Sequence, residues 1–131
     1  MKLDILVFGA HPDDVELGCG GTIIKEIQNG KKVGVIDLTR GELGTRGSVN
    51  SRNNESVKAS KIMGLCLREN MDFKDGFFKD DHNHKLSLIK KISGVCPGTN
   101  FLIKSSKITS TIISSNNFDL RESLFVIYIL Y

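Results

Sequence analysis

The chain has few cysteines, little net charge and no long apolar run, and each shortage excludes a class of protein. Its 131 residues include three cysteines, an odd number without C-x-x-C spacing, which argues against a disulfide framework and indicates a reducing compartment. The net charge of +3 is small and the basic residues are scattered, so neither nucleic acid nor an anionic membrane is indicated as a partner.

No segment predicts a membrane span or a signal peptide. The apolar run at the end of the chain, Leu124–Tyr131, is too short to cross a bilayer. The apolar stretch at the amino terminus is interrupted by Asp4 and then by the polar cluster His11–Asp14. We therefore expect a cytoplasmic protein.

The first forty residues predict a βαβ unit. Leu3–Phe8 and Lys32–Leu38 are rich in branched apolar residues without alternation, as in strands buried on both faces of a parallel sheet. Between them, apolar residues recur at near-helical spacing from Val15 or Glu16 to Gln28, and Asn29-Gly30 ends the run. A single α/β domain with a doubly wound parallel sheet follows.

The middle of the chain predicts further elements of the same fold. The segment Thr39–Ser48 is too rich in glycine for a helix and should line the cleft at the end of the second strand. A helix is predicted over Ser51–Met63, with Val57, Ile62 and Met63 on its inner side. A short edge strand over Arg68–Phe73 and a helix over His84–Ile92 should follow.

The composition changes abruptly after Pro97-Gly98. Residues 99–131 contain no Gly, Ala, Pro or His, although the chain has 13 glycines. One interpretation is a β-rich end, with strands at Phe101–Ile103 and Leu124–Leu130 and a polar linker between them. The other is a tail translated from a shifted reading frame of an AT-rich gene. We therefore divide the chain into a domain over residues 1–98 and an atypical tail over residues 99–131.

The strongest chemical signal is the sequence His11-Pro12-Asp13-Asp14, directly after the first strand. Ligands and catalytic groups collect at the carboxyl ends of strands in open α/β sheets. His11 and Asp14 can reach one metal ion from a single loop, and Asp13 between them could act as a general base. Alternatively, Asp13 and Asp14 simply cap the following helix. Catalytic zinc takes three protein ligands, so a third must come from elsewhere in the chain.

Further blocks of sequence accompany this cluster, namely Ala10–Glu16, Gly20–Thr22, Asp37–Gly47, Arg52-x-x-Glu55 and Asp75–Phe78. Together they resemble the zinc-dependent deacetylases of the PIG-L and LmbE type, and the bacillithiol biosynthesis deacetylases in particular. The resemblance covers about residues 3–93. It implies a Rossmann-like three-layer sandwich with a mostly parallel sheet, truncated here, and a homo-oligomer for the intact family.

The resemblance also implies roles for individual residues. His11 and Asp14 would bind Zn²⁺, Asp13 would be the catalytic base, and Arg52 and Asp75 would bind the substrate. Arg52 could instead form a surface ion pair with Glu55, and Asp75 could be an ordinary turn aspartate before a glycine. The implied reaction is deacetylation of an N-acetylglucosamine conjugate, N-acetylglucosaminyl malate in bacillithiol biosynthesis.

The last third departs from the family pattern, because the His-x-x-Asp-His-like segment that would provide the third zinc ligand is absent. The remaining histidines, His82 and His84, are expected to be exposed at a helix start, with surface metal binding as the alternative. We therefore expect impaired activity in this chain. The competing hypothesis is a non-catalytic remnant that binds a sugar or an anion at the glycine-rich cleft.

Overall fold

The computed structural model describes residues 3–95 in full and the backbone of three further strands. The elements are β1 (Ile5–Gly9), α1 (Asp14–Gln28), β2 (Val33–Thr39), α2 (Val49–Met63), β3 (Leu67–Phe73), α3 (His82–Val95), β4 (Phe101–Ser105), β5 (Ile112–Ile113) and β6 (Val126–Leu130). Helices and strands therefore alternate over residues 3–95. β4 and β6 coincide with the two strands predicted for the tail, whereas Cys96 lies outside the described residues.

The described strands form one sheet in the order β3-β2-β1-β6-β4-β5. β1 pairs with β2 in parallel, with Ile5 opposite Val33 and Phe8 opposite Ile36, and β2 pairs in parallel with β3. β6 is parallel to both of its neighbours, and only the β4–β5 pair among these strands is antiparallel. The prediction of a mostly parallel sheet is confirmed, and β3 lies at an edge of the described sheet as expected.

Two apolar cores lie on opposite faces of the sheet. Leu6 and Phe8 of β1 point to the face where α3 contributes the buried Ile92. Val7, between them in sequence, points to the other face, where α1 contributes Ile23 and α2 contributes Met63. This alternation follows from the two-residue period of a strand. Because both faces are covered by helices, the fold is the three-layer α/β sandwich that was expected.

The exposure of some helix residues differs from the apolar pattern of the sequence. Leu17 belongs to the apolar pattern of α1, yet it is 83% exposed. The same helix is kinked at Cys19, whose φ of −147° is not helical. In α2, Met63 is buried as predicted, but Val57 and Ile62 are exposed.

A membrane-spanning helix is not found in the part of the chain that the structure describes. None of its helices is both long enough and apolar enough to cross a bilayer.

Candidate active site

The predicted site lies where β1 turns into α1, at the carboxyl end of the parallel strands. The turn is tight: a Cβ atom on Gly9 would lie 2.9 Å from Val15 Cγ2 and 3.2 Å from the His11 carbonyl oxygen. Glycine at this position therefore lets the backbone reverse directly into the helix. The same turn brings His11 and Asp14 together, and the Asp14 Oδ2 accepts a 2.8 Å hydrogen bond from the His11 backbone N–H.

The His11 ring lies between two carboxylates. Its Nε2 is 2.8 Å from Asp75 Oδ1, and its Nδ1 is 3.3 Å from Asp14 Oδ2. Burial lowers the pKa of His11, but the hydrogen bond and charge of Asp75, together with those of Asp14, outweigh it and raise the pKa above 6.5. The ring is therefore oriented by an aspartate 64 residues away in sequence.

Asp75 connects three segments of the site. Besides contacting His11, its Oδ2 accepts a 3.2 Å hydrogen bond from the Leu43 N–H, and its own N–H donates to Glu42 Oε1 at 2.7 Å. Burial raises the pKa of this carboxyl, but the bonds to His11 and Leu43 outweigh it and bring the pKa below the ordinary value. Asp75 is more than a turn residue, and its substrate-binding role stays a prediction.

The helix-cap alternative is only partly supported. Asp13 occupies the N-cap position of α1, but its carboxylate forms no capping hydrogen bond and is exposed. Asp14 lies in the acidic first turn of α1, and its carboxylate accepts the His11 backbone N–H. The predicted base, Asp13, therefore has an accessible carboxylate in the same loop as His11 and Asp14.

Arg52 lies over the glycine-rich loop after β2. A Cβ atom on Gly44 would be 2.9 Å from its Nη2, and one on Gly41 would overlap its Nη1. Glycines at these two positions therefore make room for the guanidinium. Within the residues that the structure describes, Arg52 forms no ion pair with Glu55, so that alternative is not supported. A Cβ atom on Gly41 would also lie 3.6 Å from Pro12 Cδ. Arg52 and Pro12, the residue after His11, therefore both approach Gly41.

The donor atoms of His11 and Asp14 fit part of a zinc site. Two ligands of a tetrahedral zinc ion, each about 2.0–2.2 Å from the metal, are roughly 3.4 Å apart. The Nδ1–Oδ2 distance of 3.3 Å is close to this separation. A metal-bound histidine also usually has a carboxylate on its other ring nitrogen, as Asp75 is here. Over residues 3–95, however, no group of three His, Cys, Asp or Glu side chains is arranged to hold a metal ion.

The other two histidines lie apart from this cluster, at the start of α3. His82 is exposed as expected, but His84 is half-buried. The His84 Nδ1 is 2.8 Å from Asp81 Oδ1, and the ring packs edge-on against Phe73 with centroids 4.8 Å apart. These contacts give His84 a structural role at the helix start.

A buried ionic network that the sequence did not predict lies behind the loop. The guanidinium of Arg68, whose side chain is only 8% exposed, donates to both oxygens of Asp37 at 2.9 and 3.0 Å and also binds Glu16. Burial raises the pKa of Asp37 even with Arg68 beside it. One signal was available: an aspartate within the buried strand Val33–Thr39 requires a charged or hydrogen-bonding partner.

A cavity of about 170 Å³ opens beside this network. Its lining residues come from the β1–α1 loop, β2 and the residue after it, α2, and the first half of β3: Pro12, Asp37, Arg40, Val49, Asn53, Ser56, Val57, Arg68, Glu69 and Asn70. The polar groups at its inner end already bind one another, since Arg68 pairs with Asp37 and the Asn70 amide donates to the Thr39 carbonyl.

A family model, a protein relative and a solved structure all match this chain. The sequence model of the PIG-L family, GlcNAc-PI de-N-acetylase, matches residues 6–109. The uncharacterized deacetylase YaiS of Escherichia coli (strain K12) is 41% identical over 71 residues, which cover 54% of this chain and 38% of YaiS. The conserved protein TT1542 of Thermus thermophilus is 39% identical with a TM-score of 0.70, covering 81% of this chain and 46% of that protein.

A third relative shares the fold. The N,N'-diacetylchitobiose deacetylase of Pyrococcus horikoshii, in complex with its inhibitor MPG, is 24% identical with a TM-score of 0.64, and the match covers 70% of this chain and 37% of that enzyme. In each of these three comparisons the chain spans less than half of the relative's length.

Proposed function

Because the chain belongs to the PIG-L family, we propose that it hydrolyses the acetamide of an N-acetylated amino sugar, with zinc bound at His11 and Asp14. The observation that carries this proposal is the His11 ring held between Asp14 and Asp75 at the carboxyl end of the sheet. A carboxylate on the second ring nitrogen, as Asp75 is on His11, is one of the contacts that commonly orient metal-bound histidines.

The proposed mechanism divides the work among the residues of the loop. Bound zinc supplies Lewis-acid activation of water and of the acetyl carbonyl oxygen. Asp13 takes the proton from the attacking water, since its carboxylate is exposed and not engaged in capping α1, and then gives this proton to the amine that leaves as the acetamide C–N bond breaks. Asp75 holds the His11 ring in one tautomer and orientation. Arg52, with a planar fork of donors, binds a carboxylate or hydroxyls of the substrate.

We propose N-acetylglucosaminyl malate, a bacillithiol precursor, as the substrate. Its malate carboxylates suit the guanidinium of Arg52, which lies half-buried against the glycines of the β2–α2 loop. A cytoplasmic location belongs to the same proposal. The odd count of three cysteines without C-x-x-C spacing supports a reducing compartment.

We expect slow turnover. Two protein ligands hold zinc more weakly than three, and the third is not found over residues 3–95. The lack of a third ligand over residues 3–95 also supports the competing hypothesis, a non-catalytic protein that binds a sugar or an anion. If that hypothesis is correct, a sugar should raise the melting temperature of the chain equally before and after chelation, and also in Asp13→Asn.

The test is release of acetate from N-acetylglucosaminyl malate by the full chain with added Zn²⁺. Removal of zinc with a chelator should abolish the release, and re-addition should restore it. Asp13→Asn should keep its zinc affinity and lower kcat roughly 10²–10⁴-fold, as loss of a general base does. The matched control is Asp80→Asn, which removes an exposed carboxylate that contacts Lys85 at 2.7 Å.

Two outcomes would contradict the proposal. If the wild-type chain releases no acetate at saturating zinc, deacetylation by this chain is refuted. If Asp13→Asn and wild type turn over equally fast, Asp13 is not the base.

A further inference from the structure

Two large apolar side chains are exposed beside the His11–Asp75 contact. Leu43, in the β2–α2 loop, is 60% exposed, and Phe77, in the turn after β3, is 57% exposed. The Leu43 side chain lies against the neighbour of Phe77, because a Cβ atom on Gly76 would be 3.1 Å from Leu43 Cδ1. We call Leu43 and Phe77 the apolar platform.

The platform is attached to the same carboxylate that orients His11. Asp75 Oδ1 is 2.8 Å from His11 Nε2, while Asp75 Oδ2 accepts the Leu43 backbone N–H. Phe77 is two residues from Asp75 in a turn closed by the bond from the Phe77 N–H to the Lys74 carbonyl, 3.0 Å. Asp75 therefore links the platform to His11: it contacts the His11 ring, accepts the Leu43 N–H and lies two residues before Phe77.

A cation accompanies the aromatic ring. The Lys74 ammonium lies 4.5 Å from the centroid of Phe77, within the range of a cation–π interaction. The ammonium covers one face of the ring, so a ligand can pack only on the opposite face, and its N–H groups are hydrogen-bond donors close to the platform. The result is a small apolar surface with a positive group beside it, which suits a ligand with both an apolar face and polar substituents.

We propose that Leu43 and Phe77 form the subsite for the pyranose ring that carries the acetamide. A pyranose has a C–H face that packs on an aromatic ring and hydroxyls at its edge that Lys74 can bind. Two side chains form too small an area for a stable protein partner, which needs roughly 1,000 Å² or more. This inference rests on the proposed function and specifies where the sugar binds.

The test compares Phe77→Ala and Leu43→Ala with the wild-type full chain, using N-acetylglucosaminyl malate and added Zn²⁺. We expect KM to rise roughly five- to tenfold in each variant, with kcat changed less than about twofold, because the platform contacts the sugar and not the scissile bond. Phe77→Tyr should restore the wild-type KM. Leu17→Ala is the control, since Leu17 is 83% exposed on α1, outside the platform.

A binding measurement separates this inference from the proposed function. Saturation-transfer NMR with N-acetylglucosamine should show contact with the wild-type chain and lose it in Phe77→Ala, whether or not acetate is released. If acetate is released but KM and the NMR signal are unchanged in Phe77→Ala, the platform is refuted and deacetylation stands. If sugar binds through Phe77 without turnover, deacetylation fails and the platform stands. No binding and no turnover by the wild-type chain would refute both.

Discussion

At the scale of single residues, the contacts of Asp75 change how the site is understood. Sequence resemblance assigned Asp75 to the substrate, and spacing alone allowed an ordinary turn residue. In the structure its two oxygens contact the His11 ring and the Leu43 backbone N–H. A partner 64 residues away cannot be found from local spacing. The cluster His11–Asp14, by contrast, was predictable because its members lie in one short loop.

The contacts of His11 predict a pH dependence of stability in the metal-free protein. Its pKa in the folded state is raised above the ordinary 6.5, so the protonated ring stabilises the folded state. This stabilisation is complete below pH 6.5 and is lost as the pH rises through the raised pKa. Denaturant unfolding of chelator-treated protein should therefore show stability falling as the pH rises above the ordinary histidine pKa.

Two variants separate the contribution of His11 to the pH dependence of stability from that of His82 and His84. Asp75→Asn removes the main partner of His11, so its stability should change less with pH over the same window. Asp80→Asn, which removes an exposed carboxylate away from the site, should follow the wild-type curve. If the free energy of unfolding changes with pH equally in wild type and Asp75→Asn, Asp75 does not set the pKa of His11.

At the scale of elements, strand positions followed closely from the sequence and helix faces did not. Buried parallel strands are nearly continuous apolar runs, and the predicted strands of β1 and β2 differ little from the observed bounds. The face of α2 was mispredicted at Val57 and Ile62, which are exposed. The backbone of α1 kinks at Cys19, beside Gly18 and Gly20, and a regular helical period does not predict such a kink.

The network of Arg68, Asp37 and Glu16 connects three elements behind the site. Glu16 lies in the first turn of α1, directly after the His11–Asp14 loop, whereas Asp37 and Arg68 lie in β2 and β3. Arg68→Met would leave the buried Asp37 without its cation. We expect a loss of about 3–5 kcal/mol in the free energy of unfolding, which is typical when one partner of a buried ion pair is removed.

Urea unfolding measures this loss, and Arg46→Met is the control because Arg46 is exposed in the β2–α2 loop. The control should change stability by less than about 0.5 kcal/mol, as surface substitutions usually do. Adding Asp37→Leu to Arg68→Met should recover part of the loss, since the unpaired charge is then gone. Equal stability of Arg68→Met and wild type would contradict a structural role for the network.

At the scale of the whole molecule, the sheet and its two helical layers agree with the expected α/β sandwich. β4 and β6 extend the sheet beyond β1, at the two places where the composition of residues 99–131 predicted strands. The family match runs to residue 109, past the change in composition at Pro97-Gly98. A division at residue 98, a shifted reading frame and a homo-oligomer all stay predictions.

At the same scale, the number of zinc ligands is the main open feature of the site. His11 and Asp14 supply two donors at a separation suited to zinc, and residues 3–95 offer no third ligand beside them. We therefore expect this chain to bind zinc more weakly than a site with three protein ligands does.

The most direct test of the account is calorimetric titration of Zn²⁺ into the metal-free full chain. We predict one zinc per chain, bound weakly enough for a chelator to remove it. His11→Gln should abolish this binding, and Asp75→Asn should weaken it roughly 10–100-fold through loss of the carboxylate on the ring. No zinc binding by the wild-type chain, or equal binding by wild type and His11→Gln, would contradict the assignment of the site.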